Sequence, residues 1–453
     1  MCLQEIFVCV LKLSHSFNSV AFLGEDRDCV VLLCYRNCRD KPITNPAMHL
    51  QRIPLALVVA LWCLSLLALS APAGGAETPS QIRFGSESAT ARSLADSLEG
   101  AISQGQSTRA REILSQLLEQ AKVDPDLLLK AGVSLAQREW YSEAKQVFTR
   151  CVKDYPDLFE GHYNLALADL AMQKNSEALT VLERSPQGTK SQKLARLYLR
   201  GKILGALGQP RQAEQDLSAA FSGAPQQENY ALDLGLFYLR QRAYPQASEA
   251  FARGKEFHPR SIFLLLGLSL AQFLSGHSTE SVDLCRKLLK LEPTFSPARL
   301  LLGFALYQNG NFEEAEKVAE AGLSAGNPHP YLHYLHAAAL LKLQSNQHDR
   351  MLRELALADR AIPDCTLCAL AKSKVHEAMG NLEAAITELE RAVKLEPVFS
   401  EAWYHLSLVY GRAGRRQDAA RASAEFSKLK SEKLNRESEL LRDLFLKTLS
   451  GQE

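Results

Sequence analysis

Apolar side chains recur along most of the chain at helical spacing, and a longer rhythm runs over them. In the stretch GFALYQNGNFEEAEK, residues 303–317, Gly303 stands among bulky apolar residues, a Gly310-Asn311 turn follows, and the small residue Ala315 comes twelve positions after Gly303. Pairs with the same separation return as Gly132 and Ala144, Ala166 and Ala178, Gly201 and Ala213, Gly235 and Ala247, Ser269 and Ser281, Ser373 and Ala385, and Ser407 and Ala419. Pro225, Pro259 and Pro293 stand 34 residues apart, and so do Pro363 and Pro397. A period of this length fits a helix, a turn and a second antiparallel helix. Small residues are needed where the two helices cross, because a large side chain there holds the backbones apart.

Within each unit the small residues take positions 8 and 20, and a bulky residue at 24 fills the space beside the crossing, as Phe148, Leu182, Leu217, Phe251 and Leu389 do. Gly208, Gly276, Gly310, Gly380 and Gly414 supply the turn, and the closing Pro ends the second helix. Nine units start near Pro125, Phe159, Leu194, Glu228, Ile262, Ser296, Pro330, Thr366 and Ser400. Three departures stand out. Asp169 fills an apolar slot, the second unit lacks its Pro, and the seventh carries about two extra residues near 344–348.

These residues resemble the tetratricopeptide repeat family, with Trp403, Ser407, Tyr410, Gly414 and Ala419 closest to its pattern. The resemblance implies an all-α, right-handed superhelical solenoid of antiparallel helix pairs. The expected order is a leader or cytoplasmic tail (1–47), a signal peptide or signal anchor (48–76), a linker (77–90), a degenerate N-terminal capping pair (91–124), nine repeats (125–429), and a C-terminal capping helix and tail (430–453). Leu94, Leu98, Ala110, Leu114 and Leu117 carry the first cap, and Leu434, Leu441, Phe445 and Leu449 the last. A stacked array needs such a helix to shield its final apolar face.

Ahead of the array, His49 and Arg52 precede an apolar run at 53–69, and Ala71, Ala73 and Ala76 offer small-residue cleavage sites. The expected location is exported, in the periplasm or cell envelope. Either Met48 is the true start, or residues 1–47 stay inside with Arg36, Arg39, Lys41 and Arg52 on the inner side of an uncleaved anchor. Membrane contact arises only in the second case. Lys plus Arg number 52 against 51 Asp plus Glu, so no global field draws the chain to nucleic acid.

Candidate chemistry is thin. Cys365 and Cys368 form a CxxC without a second pair, and they are read as small apolar fillers rather than a redox pair or strained disulfide. His329, His333 and His336 fall at helical steps, yet no carboxylate stands at a matching step on that helix, so no metal is expected. Gly201, Gly205 and Gly208 follow no strand, which removes a dinucleotide reading. No cofactor and no catalytic residue are assigned.

Binding remains. In the resembled fold, positions 2, 5, 9 and 12 of the first helix face the concave groove. In units four to six these are Asn229, Leu232, Leu236 and Leu239; Phe263, Leu266, Leu270 and Phe273; and Pro297, Leu300, Phe304 and Tyr307. An open apolar stripe of this kind predicts a protein or peptide partner with an apolar or amphipathic segment; the other reading is a self-buried interior. Only Lys202 and Lys374 stand at groove slots where chaperone-binding relatives carry a carboxylate clamp. The expected function is a noncatalytic interaction adaptor or assembly scaffold in the cell envelope. The alternative is the recruiting subunit of an envelope peptidase or glycosyltransferase complex.

Overall fold

The computed structural model of the protein describes residues 79–325, 328–429 and 436–450. The leader and the signal segment expected at 1–76 lie outside the described residues. Twenty-one helices, and no strand, occur among the described residues. Helices α1 (Pro79–Ser103) and α2 (Ser107–Glu119) come first. Two repeats follow, α3 (Pro125–Ala136) with α4 (Tyr141–Asp154) and α5 (Phe159–Ala171) with α6 (Asn175–Glu183).

Five more repeats are α7 (Lys190–Ala206) with α8 (Pro210–Gly223), α9 (Glu228–Arg240) with α10 (Tyr244–Phe257), α11 (Ile262–Leu274) with α12 (Ser278–Leu291), α13 (Ser296–Gln308) with α14 (Phe312–Leu323), and α15 (Pro330–Lys342) with α16 (His348–Ala361). The last two are α17 (Thr366–Ala378) with α18 (Leu382–Leu395), and α19 (Ser400–Arg412) with α20 (Arg416–Leu429). Helix α21 (Arg436–Ser450) ends the described chain. The chain divides after Gly188 into two compact units, the first holding α1–α6 and the second α7–α21. The division follows α6, a helix of only nine residues in the repeat that lacks its closing Pro.

One backbone device stops the first helix of every repeat. Position 15 has a positive φ in all nine, from 50° at Gln344 to 84° at Gly276. The N–H of position 16 then donates to the carbonyl of position 11, as Gln209 does to Leu204 and Ala243 to Tyr238, both at 2.9 Å. This long reverse bond satisfies a carbonyl that the helix end leaves open. Five of the nine positions are Gly, which adopts this conformation freely. Glu139, Gln173, Arg242 and Gln344 adopt it as well, although sequence alone marks none of them. The extra residues of the seventh repeat fall in this turn, which runs over 343–347 where the fourth repeat uses 241–243.

Helix starts follow the capping residues. Thr189 and Gln192 form a reciprocal capping box, so α7 begins at Lys190, four residues ahead of the expected Leu194. Asp124 and Ser261 cap α3 and α11. At the N-terminal end α1 starts at Pro79, inside the stretch read as a linker. Pro suits a first helical turn, and no Pro stands between it and Pro125.

The small residues sit where close approach demands them. A Cβ on Gly132 would lie 2.4 Å from the Phe148 ring, and one on Gly201 would lie 2.8 Å from Leu217. Gly303 departs from this scheme. Its position-24 partner is the small Ala319, and the space above Gly303 is taken instead by Leu335 of the next repeat, 2.3 Å from a Cβ placed there. In the fifth repeat the contact is polar: Ser269 Oγ lies 3.0 Å from Ser281 Oγ and 3.0 Å from Cys285 Sγ, all fully buried. Asp169, the odd residue of the second repeat, is buried against Lys145 at 2.6 Å, which answers its charge.

The last expectation needs correction. Helix α21 does not stack on the final repeat; it packs against α9, α11 and α13. Its apolar side chains Leu441, Phe445 and Leu449 lie four residues apart, so they form one stripe, and α11, which it meets, is apolar along nearly its whole length.

Candidate protein-binding groove

Positions 2, 5, 9 and 12 fall on one side of a helix, and α9, α11 and α13 carry the predicted groove residues at these positions. Leu232, Leu236, Leu239, Leu266, Leu270, Phe273, Leu300 and Phe304 are buried, while Phe263 and Tyr307 are half-buried. Neighbours account for part of this. The Phe304 ring stacks on Tyr334 of the next repeat at 6.3 Å, and Tyr307 meets Phe312 edge-on at 5.3 Å. The stripe is therefore not the open surface that the sequence suggests.

Helix α21 supplies the remaining cover. Leu441, Phe445 and Leu449 are 0%, 1% and 4% exposed, whereas Asp443 and Lys447 face outward. At its N-terminal end Glu439 pairs with Arg242 at 2.9 Å, and Arg442 bonds to the side chain of Tyr244. Arg242 is the left-handed turn residue of the fourth repeat, so the turn device also places the cation. Arg442 in addition holds Glu439 at 2.7 Å, so the carboxylate sits between two guanidiniums. Sequence reasoning found the apolar spacing of α21 but neither ionic partner, because the pair joins positions 197 apart.

On α19 the same face is exposed. Tyr404 and Leu408 occupy positions 5 and 9 of α19 and are 43% and 45% exposed. The two groove lysines are already engaged. Lys202 bridges Asp233 at 2.7 Å and lies 5.3 Å from the Tyr198 ring centre, and Lys374 bridges Glu401 at 2.9 Å.

Two other candidates resolve differently from their sequence reading. Cys365 and Cys368 are joined in a disulfide with a Cα separation of 5.2 Å, not left as fillers. Cys365 caps α17 and Cys368 lies in its first turn, which brings the two sulfurs together. Cys151 and Cys285 remain thiols, and burial pushes them up to about 11 and about 12. His329 caps α15 from outside the helix, as its place before Pro330 predicts. His333 and His336 do meet carboxylates, but from other helices: His333 Nδ1 lies 2.6 Å from Glu354, and His336 Nε2 lies 3.3 Å from Glu316. Glu316, Glu320 and His336 converge within 4.8 Å, yet Arg350 donates to Glu320 at 2.7 Å and supplies the positive charge there. Burial lowers the His336 pKa, with Arg350 adding to the shift and Glu354 and Glu316 opposing it. Among the described residues no helix is long and apolar enough to cross a membrane.

Comparison with known proteins agrees with this architecture. Family patterns described as tetratricopeptide repeat match residues 126–158, 198–262, 273–339 and 370–425. The chain is 28% identical over 201 residues to tetratricopeptide repeat protein 37 of Xenopus laevis, covering 42% of this chain and 12% of that protein. It is 28% identical over 210 residues to the peroxisomal targeting signal receptor of Candida albicans, covering 44% of this chain and 35% of that protein. The chain thus spans about a third or less of these relatives' own lengths. A tetratricopeptide repeat protein from Parabacteroides merdae aligns in structure with 16% identity and a TM-score of 0.40, over 55% of this chain and 98% of that one. With nine helix pairs among the described residues and family matches spread over residues 126–425, the array is built of tetratricopeptide repeats.

Proposed function

We propose that the protein is an exported, noncatalytic adaptor of the cell envelope that binds a helical segment of a partner protein along the first-helix face of repeats four to six. One observation carries this reading: α9, α11 and α13 together receive an amphipathic helix, burying its three apolar anchors and pairing its carboxylate with Arg242. Grooves that take helices this way read them through apolar side chains one turn apart. A relative named for receiving a targeting signal lends support to a peptide-binding role. Export is supported by the apolar run at 53–69 and by the Cys365–Cys368 disulfide, since such bonds persist in oxidising compartments.

The test places a photo-crosslinking amino acid at Tyr307, half-buried at the groove edge, and at Lys287, exposed on α12. Cross-linking in intact envelopes should join a second polypeptide to the chain from position 307 and not from 287. Equal adducts from both positions would contradict the groove reading. A reporter that functions only outside the cytoplasm, fused to a chain started at Met48, should be active; an intact but silent fusion would refute export.

A further inference from the structure

Three observations about α21 remain unexplained by a capping role. It leaves the array end uncovered: Ala422 is the one buried residue of α20, and Tyr404 and Leu408 of α19 stay more than two-fifths exposed. It seats itself as a ligand would, with anchors at i, i+4 and i+8 and a matched ion pair at one end. It also follows α20 by only six residues in sequence and has a charged outer side bearing Asp443 and Lys447, so it suits water when released.

We infer that α21 is a built-in occupant of the partner site, and that the partner is a helix repeating its pattern: a carboxylate two residues ahead of an apolar, an aromatic and an apolar side chain, each four residues apart. This inference rests on the reading of α9, α11 and α13 as the binding surface. Because the occupant is covalently tethered, its effective concentration at the groove is high, on the order of millimolar for a short tether. A free helix of equal intrinsic affinity therefore binds the intact chain weakly. Weakening α21 raises the apparent affinity without changing the groove, since the apparent dissociation constant varies inversely with the binding-competent fraction.

The probe is a fluorescent peptide with the sequence of residues 436–450, titrated into the full chain by polarisation. The full-length L441S/F445S/L449S variant should bind it about tenfold or more tighter than the wild type. Full-length E439R, which leaves every apolar anchor in place, should bind it several-fold tighter than wild type. Adding R242E to the triple variant should weaken binding, and a peptide carrying Glu439→Arg should restore it. A peptide with Ser at the three anchor positions should not bind.

Equal affinity of E439R and wild type for the probe would overturn the inference. So would loss of helicity across the repeats in the triple variant, since α21 would then be part of the core rather than an occupant. A wild-type dimer that the peptide dissolves would also overturn it, because the helix would then sit in a second copy. The probe carries this chain's own sequence, so the two readings fail separately. A peptide effect without an envelope cross-link sinks the adaptor reading alone, and a cross-link without a peptide effect sinks the occupant alone.

Discussion

A Cβ atom on Gly235 would stand 2.3 Å from Cε1 of Phe251, and one on Gly267 would stand 2.6 Å from Cζ of the same ring. The ring is thus wedged between the first helix of its own repeat and that of the next, fully buried. One side chain sets both the crossing within a repeat and the spacing to its neighbour.

Gly235→Ala should therefore destabilise the protein by about 1–3 kcal/mol, the range for overpacking a filled core. The second repeat already combines Ala166 with Leu182 at the same two positions. Gly235→Ala with Phe251→Leu should recover part of the loss. Urea unfolding of the single and double variants measures it, and a neutral Gly235→Ala would mean that the ring yields.

The register of the array was legible because each small residue is forced by a backbone approach. Eight of the nine expected starts coincide with the first residue of a helix, and the ninth differs because Thr189 caps early. Other features depend on partners far apart in sequence. Gly303 repeats the pattern but answers to Leu335, since its in-repeat partner is the small Ala319. The burial of Phe304 and the seat of α21 were not legible, because helical spacing says which side chains share a face and not what covers it.

The left-handed turn predicts a gain. Glu139 and Gln173 hold φ of 64° and 61° at the slot where five repeats carry Gly. A non-Gly side chain in this region crowds its own carbonyl. Glu139→Gly and Gln173→Gly should each raise stability by about 0.5–1 kcal/mol, less the entropy that Gly adds to the unfolded chain. Thermal melts that move down instead would show that these side chains hold the turn.

The Cys365–Cys368 bond closes a very small loop, so chain entropy gives it at most about 2 kcal/mol. Mass spectrometry of the tryptic fragment 361–372 from unreduced protein should show a mass lower by two hydrogens than after reduction. Cys151 and Cys285, with thiols pushed up to about 11 and about 12, should resist alkylation at neutral pH until the protein unfolds. A fragment found only with free thiols would remove the disulfide and the support it lends to export.

Acid should weaken the fold through two histidines. Burial pushes His405 down to about 4, with Lys374 and Lys342 adding and Glu401 opposing, and burial lowers His336 as well. Their ordinary value is 6.5, so between that pH and the folded values the unfolded chain binds more protons. The stability they contribute is complete above pH 6.5 and is lost as the pH falls toward 4, roughly 3 kcal/mol for His405. His405→Gln should flatten that part of the stability–pH curve. An unchanged slope would remove His405 as its source.

The central claim is that α21 occupies the face formed by α9, α11 and α13 without being part of the array's core. Hydrogen–deuterium exchange on the full chain tests it most directly, because it reads the helix and the face together. In the wild type, amides of 436–450 should be protected. In L441S/F445S/L449S they should exchange at the rate of a free peptide, with faster exchange confined to α9, α11 and α13 and the remaining repeats unchanged. Residues 436–450 already exchanging freely in the wild type, or protection lost across the whole of 189–429 in the variant, would contradict the account.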